Sequence, residues 1–322
     1  MKAAVLQKFG DTPRYQDFPD PVPSQNEVLI QVKAVTLENI DKMMTEGTHF
    51  ASKQFLTQLP AIVGFDGIGE LPDGRLVGFG GTKAPYGAMA EKTVVPSMYT
   101  VPVPDDVDAV IAAALPASAL TSLFPLKWGA KLQQGETVLI NGATGVSGKL
   151  AVQIAKLLGA GRIVGTGRNP ESLERVIELG ADAVIDLTQS EQQVMEAFKK
   201  EADIGIDIVL DFLWGSPTEL LIKALTPQEL GFTGHRTRLI QIGEKAGASI
   251  SLPADALRTS GLEITGAAAG LTAEAMNEGT NLVWEWLKGN KLTMDIEEVP
   301  LQDIETIWKR NDFQGKRIVI IP

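Results

Sequence analysis

Cysteine is absent from the 322 residues, and histidine appears only twice, as His49 and His235. Without cysteine the chain forms no disulfide, offers no thiolate to a metal and has no sulfur nucleophile. Two histidines alone do not build the three-ligand set usual at a catalytic zinc. Positive charge is also short: 29 Lys and Arg face 40 Asp and Glu, for a net charge of −11. Such a surface repels nucleic acid and anionic lipid, yet leaves room for one locally basic site. Long apolar runs are missing too. The most apolar stretch, Ala109–Leu120, contains Pro116 and Ser118 and reads as too short to span a bilayer. The first ten residues lack the apolar core and cleavage site of a signal peptide. A cytoplasmic protein without nucleic-acid or membrane partners is expected. What is present is apolar material, 44 % of the chain, enough to argue against disorder and to fill about two domains.

Two textures follow one another. The first ~115 residues carry short β-type runs, at Ala3–Leu6, Val28–Val35, Ile62–Gly69, Arg75–Phe79, Met89–Val95 and Tyr99–Val101, punctuated by prolines. This predicts a small irregular β-barrel. From about Leu123 strands alternate with helices. Thr137–Asn141 is followed by a Gly-rich turn and a helix over Lys149–Leu158. Further strands are expected at Arg162–Thr166, Ala183–Asp186, Ile206–Leu210, Arg238–Ile242 and Leu262–Gly266. Mostly apolar strands alternating with helices imply a parallel sheet covered on both faces, a doubly wound α/β fold. The tail reads as one helix and a terminal strand, Lys316–Ile321.

The strongest motif is Gly142-Ala143-Thr144-Gly145-Val146-Ser147-Gly148, directly after the strand ending at Asn141. Set against G-x-G-x-x-G, Ala143 replaces the first Gly, while Gly145 and Gly148 keep the other two places. Gly145 lets backbone approach a pyrophosphate, and Gly148 lets helix and strand pack closely. The helix start adds free N–H groups and the positive end of a dipole. At the end of the second strand, where an NAD site places Asp or Glu, this chain has Arg168 and Asn169. Arg168 offers a fork of donors to a 2′-phosphate, which points to NADP(H). Asn169 serves as a second donor or as the cap of the helix beginning at Pro170. The strand-end segments Phe212, Leu213, Trp214, Ile242, Gly243, Ala268, Ala269 and Gly270 are expected to line the cofactor at the carboxyl edge. Short-chain dehydrogenase chemistry is excluded. Residues four after Tyr15, Tyr86 and Tyr99 are Pro19, Ala90 and Val103, so the required Lys is never present.

The chain resembles the medium-chain dehydrogenase/reductase superfamily, in its zinc-free quinone oxidoreductase-like branch, along essentially its whole length. The matching pieces are Asn39-Ile40-Asp41 with Gly47, Gly64–Gly69, Gly87–Glu91, Leu115–Thr121, Gly142–Gly148, Asp207–Asp211 and Gly315–Val319. The resemblance implies a GroES-like β-barrel catalytic domain, residues 1–119 with 268–322, and a Rossmann NADP-binding domain, residues 120–267. It also implies a homodimer, with sheet edges near Leu262–Gly266 paired. Where zinc-dependent relatives keep Cys and His, Glu38 and Phe65 stand here, with Asp66 at the family's Glu position. Asn39 and Asp41 resemble polar residues that order the active site, Asp41 being equally readable as the cap of a helix beginning near Lys42. Thr121 resembles a Thr beside the nicotinamide, and Asn311 a cofactor contact. Met43 and Met89 replace tyrosines and, with Phe65, suggest an apolar substrate pocket; Tyr86 is the substitute proton donor, or else a packing aromatic. His49 reads as a proton relay or as a locally hydrogen-bonded residue.

The implied reaction is hydride transfer from NADPH to a quinone or α,β-unsaturated carbonyl. A conjugated acceptor delocalises negative charge onto its own oxygen and can dispense with a metal Lewis acid. The alternatives are a metal-free alcohol or aldehyde reductase and a non-catalytic NADPH-binding protein.

Overall fold

The computed structural model describes residues 1–227, 235–311, 313 and 315–322. They form two compact units, Met1–Pro116 with Asp295–Pro322, and Ala117–Met294. The expected barrel contribution from 268 onward therefore begins only at 295. Helix Ala273–Lys288 belongs to the second unit, where Gly279 lets the ring of Phe124 approach (2.7 Å from an ideal Cβ). Just after that helix, Thr293 receives and gives hydrogen bonds to Gln153.

In the first unit β1 (Lys2–Leu6), β2 (Arg14–Asp17), β3 (Glu27–Leu37), β4 (Ala61–Ile62), β5 (Gly67–Glu70), β6 (Leu76–Phe79), β7 (Lys92–Pro96) and β8 (Thr100–Pro102) are joined by α1 (Asn39–Glu46), α2 (Ser52–Phe55) and α3 (Ala109–Ala114). The long strand β3 organises the unit. It pairs β7 over Glu27–Gln31 and β5 over Gln31–Ala34, with a register shift between Val32 and Ala34. Its apolar residues Ile30, Val32 and Val35 enter a core with Leu6, Phe79 and Met89. Each such buried side chain contributes about 1.5–3 kcal/mol. The expected strand Ile62–Gly69 is two strands, because Val63–Asp66 leaves the ladder at Gly64, whose φ of +90° requires glycine.

The second unit begins on α4 (Pro116–Phe124). It continues through β9 (Thr137–Asn141), α5 (Val146–Leu157), β10 (Arg162–Gly167), α6 (Pro170–Glu178), β11 (Ala183–Asp186) and α7 (Glu191–Ile204). Next come β12 (Ile208–Asp211), α8 (Gly215–Leu225), β13 (Thr237–Gln241), α9 (Ala254–Thr259), β14 (Leu262–Gly266) and α10 (Ala273–Lys288). The six strands are parallel in the order β11-β10-β9-β12-β13-β14. Counted within the unit this is 3-2-1-4-5-6, the Rossmann order. One face, through Leu139, Val164 and Val209, packs on Val194 and Phe198 of α7 and Leu221 of α8. On the other, Gly165 leaves room for Val176 of α6. The chain then re-enters the first unit with β15 (Ile296–Pro300), α11 (Ile304–Lys309) and β16 (Arg317–Ile321), and β16 runs antiparallel to β3. The architecture is thus GroES-like barrel plus Rossmann sheet.

One expectation is corrected. The helical run Ala109–Gly129, 21 residues, is long and apolar enough to cross a membrane by length and composition. Pro116 opens α4, where its missing N–H costs no bond, directly after a break at Leu115 that ends α3. Half of that stretch is buried within the protein, as in the core helix of a globular fold.

Candidate functional site: a phosphate turn on a locked strand edge

The Gly-rich turn leaves β9 at Gly142, whose φ is +95°. A Cβ at Gly148 would strike the Gly142 carbonyl oxygen, so this glycine is what lets α5 start against the strand. Gly145 differs. It is exposed, and an ideal Cβ there meets only the Gly142 oxygen at 3.7 Å, so its backbone is open to a ligand. Gly145 is also the N-cap of the 12-residue α5 and supplies no side-chain cap. First-turn N–H groups that lack a protein acceptor, on an open backbone, fit an anionic pyrophosphate. At the end of β10, Gly167 has no room for a side chain, because the methyl of Thr144 rests on it. That contact sets the exposed Arg168 directly beside the turn. The exposed Asn169 accepts the Ser172 N–H at 2.8 Å and caps α6. Val146 and Ser147 open α5, and the Ser147 carbonyl accepts from Ser122 Oγ at 3.0 Å. Ala143 is buried, and its N–H donates to the Thr166 carbonyl at 2.8 Å.

Beneath the turn lies a buried polar network that motif reading missed. The Gly142 N–H donates to Thr166 Oγ1 (2.9 Å), whose hydroxyl donates to Asn141 Oδ1 (2.8 Å). Asn141 Nδ2 donates to Asp211 Oδ1 (3.0 Å) and lies 3.3 Å from Thr218 Oγ1. The Thr218 hydroxyl donates to Asp211 Oδ2 at 2.6 Å. Asp211 Oδ1 also accepts the N–H groups of Leu213 and Trp214, each at 3.0 Å. The side-chain-bearing members Asn141, Thr166, Asp211 and Thr218 are each 0 % exposed. A buried carboxylate is tolerable only with such donors around it. The available signal was polar residues closing two apolar strands at one register position, since Asn141 pairs with Asp211.

The same edge is held further along. Trp214 adopts φ +55°, a backbone state that costs a non-glycine residue about 1–3 kcal/mol and needs support from its surroundings. Ile242 and Gly243 donate to the Asp211 carbonyl, and Ala246 to that of Leu213. Phe212, Leu213, Trp214, Ile242 and Gly243 thus stand together at the carboxyl edge, next to the turn; a Cβ on Gly142 would touch Leu213 at 3.0 Å. Ala268, Ala269 and Gly270 follow β14; the Ala269 carbonyl lies against Gly129, and Gly270 against the Trp128 carbonyl. The exposed Thr121 donates its hydroxyl to the Ala117 carbonyl, 2.9 Å away, within its own helix.

In the first unit the helix expected near Lys42 begins at Asn39, because Glu38 and Asp41 form a reciprocal capping box. Asp41 is buried and accepts the Glu38 N–H at 2.8 Å. Burial pushes its carboxyl well above the ordinary range. Glu38 and Asp66 add to that, while the amide bond and Arg317 oppose it. Asn39 is exposed at the helix start. Glu38 is ion-paired with Arg317 at 2.9 Å. Asp66 is open to solvent on one side and crowded by protein on the other. The lost hydration, with repulsion from Glu38, raises its carboxyl to about 6 against the pull of Arg317.

Two expectations change here, the pocket role of Met89 and the donor role of Tyr86. Met89 is 0 % exposed in the barrel core, where it packs over Gly64, and lines no open pocket. Tyr86 packs edge-on against Phe18 in the cluster with Ala3 and Ile62, its hydroxyl 3.5 Å from the Asp20 carbonyl. It is a packing aromatic, drawn to an apolar cluster in a loop-rich region. Phe65 is half-buried against Phe55 (ring centroids 5.2 Å apart), and Met43 is half-buried on α1. His49 accepts the Ala51 N–H and stacks on Phe50 at 4.4 Å, so its ring is held locally. Asn311 is exposed beside Arg310, which pairs with Glu297. Among the described residues no group of three or more His, Asp or Glu side chains is gathered to hold a metal.

Comparison with known proteins agrees with this architecture. A family model described as zinc-binding dehydrogenase matches residues 147–284, a region with no cysteine. The chain is 29 % identical to the pig (Sus scrofa) protein named quinone oxidoreductase over 286 residues, 83 % of this chain and 80 % of that one. It is 28 % identical to bovine (Bos taurus) prostaglandin reductase-3 over 72 % of this chain, and spans only 59 % of that relative's length. The solved quinone oxidoreductase of Thermus thermophilus, described also in complex with NADPH, superposes with a TM-score of 0.74 at 27 % identity, covering all of both chains. Over most of its length the chain is thus similar to the medium-chain dehydrogenase/reductase superfamily, in its quinone oxidoreductase-like branch.

Proposed function

We propose that the protein is an NADPH-dependent oxidoreductase that reduces a quinone or an α,β-unsaturated carbonyl without zinc. The observation that carries the cofactor assignment is the open Gly145 backbone at an uncapped helix start, with Arg168 set beside it by the Thr144–Gly167 contact. The α5 N–H groups would hold the pyrophosphate and Arg168 the 2′-phosphate. Phe212–Trp214, Ile242 and Gly243 would flank the remainder of the dinucleotide. When bound, the nicotinamide supplies a hydride. The chain itself binds, orients and excludes water. The acceptor's conjugated carbon takes the hydride, its oxygen takes the negative charge, and a proton completes the reduced product.

The inventory of side chains supports metal-free chemistry: no cysteine, and two histidines each engaged locally. The names of the relatives support the acceptor class. We also infer a homodimer through the open edge at β14 and a cytoplasmic setting. Steady-state assays with NADPH test the reading. Turnover of 1,4-benzoquinone or an enal, with simple aldehydes slower by about 100-fold or more, is expected. Turnover of simple aldehydes alone would favour the alcohol-reductase alternative. Tight NADPH binding with no turnover of any acceptor would favour a non-catalytic binder.

A further inference from the structure

The buried network gives the carboxyl edge of the sheet a property that the exposed motif does not explain. We propose that Asp211 and Thr218, which face away from solvent, are positioning residues for the dinucleotide, joining the phosphate turn to the Trp214 backbone as one rigid element. The inference rests on the cofactor reading above.

The path has no gap. It runs from the Gly142 N–H through Thr166 and Asn141 to Asp211, and from Asp211 to the N–H groups of Leu213 and Trp214. Asp211 is its branch point. One carboxylate oxygen collects Asn141, Leu213 and Trp214, and the other collects Thr218. Thr218 lies on α8, so the helix following Trp214 is tied to the same carboxylate. Both ends of the path carry left-handed backbone, Gly142 at φ +95° and Trp214 at φ +55°. Glycine adopts this backbone freely but holds it only as one of many states, and Trp214 adopts it only while its surroundings fix it. The two ends also touch directly, through Leu213 against the bare face of Gly142. Loosening the branch point releases both ends at once. A dinucleotide that contacts both then bears the ordering cost on binding.

The test uses the full chain and conservative variants. Thr218→Val removes the hydroxyl and keeps the shape; Thr218→Ser restores the hydroxyl. Thr166→Val probes the path from its other end. Thr237→Val is the control. Its hydroxyl is equally buried on the same sheet, bonded to the Ile206 carbonyl at 2.7 Å, but lies outside the network at the opposite strand end. NADPH affinity is measured by titration without any acceptor, KM for NADPH and kcat by assay, and melting temperature by calorimetry. Loss of the Thr218 or Thr166 hydroxyl is expected to weaken NADPH binding by about tenfold and to raise KM alike, with kcat within about threefold. Thr218→Ser should return both to near the parent values. Thr237→Val should lower the melting temperature by a similar amount without moving the affinity. If Thr218→Val and Thr237→Val melt lower alike and bind NADPH like the parent, the network is structural only and the proposal fails. If the parent itself does not bind NADPH, the cofactor reading falls, and this proposal with it.

Discussion

Arg168 and Asp66 show how one charged side chain takes its meaning from its neighbours. Arg168 is exposed at the tip of β10, beside the turn. Arg168→Ala is expected to weaken NADPH binding by about 2 kcal/mol, roughly 30-fold, and to leave NADH within a few-fold. Isothermal titration with both nucleotides measures this, and equal losses would count against a 2′-phosphate contact. Asp66 makes a pH prediction. Its carboxyl titrates near 4 when unfolded and is raised to about 6 in the folded chain. Between those values the folded state binds more protons than the unfolded state, so this residue's stabilising contribution is present below about pH 4 and lost as pH rises to 6. Asp66→Asn should therefore melt higher than the parent above pH 6, with the gap closing toward pH 4. Parallel melting curves for the two proteins across that range would contradict the assignment.

Elements are legible in proportion to how local their causes are. The turn, the α5 helix and the order of strands β9 to β14 are readable because glycine spacing and apolar periodicity are set by neighbours in sequence. The start of α1 reads three residues late from sequence, because Glu38 draws attention as a ligand substitute rather than as half of a capping box. The buried network is invisible for a different reason. Asn141, Thr166, Asp211 and Thr218 lie on four elements, and only strand pairing brings them together. Position in the chain suggests a pocket role for Met89 and a donor role for Tyr86; core burial of Met89 and the edge-on packing of Tyr86 against Phe18 speak otherwise. Asn169 keeps two readings apart in one experiment. Asn169→Ala removes the α6 cap and is expected to cost about 1 kcal/mol of stability by chemical denaturation. Its ratio of NADPH to NADH affinity should stay at the parent value; a collapse of that ratio would make Asn169 a ligand as well.

At the scale of the whole molecule, the absence of cysteine and the scarcity of histidine limit the chemistry more than the fold does, since a Rossmann sheet serves many reactions. Activity is expected to survive prolonged treatment with a strong chelator, and elemental analysis to find well below one zinc per chain; loss of activity that added zinc restores would overturn the metal-free reading. Among the described residues β14 is one of the two edge strands of the parallel sheet, with β11 at the other end. Light scattering behind a sizing column should give a mass twice the 34.5 kDa of one chain, and a monomer would remove that edge from consideration as an interface.

Because β16 pairs with β3, the first unit is made from two stretches separated by the whole of the second. On the ribosome, Ala117–Met294 emerges as an uninterrupted block and has all its sheet partners before synthesis ends. The barrel does not. Val35, Thr36 and Leu37 must wait, hydrogen-bonded on that side only to water, until Ile318, Val319 and Ile320 leave the exit tunnel. At about 5–20 residues per second that wait lasts tens of seconds, a window in which a holdase chaperone or a neighbouring nascent chain competes for the same strand.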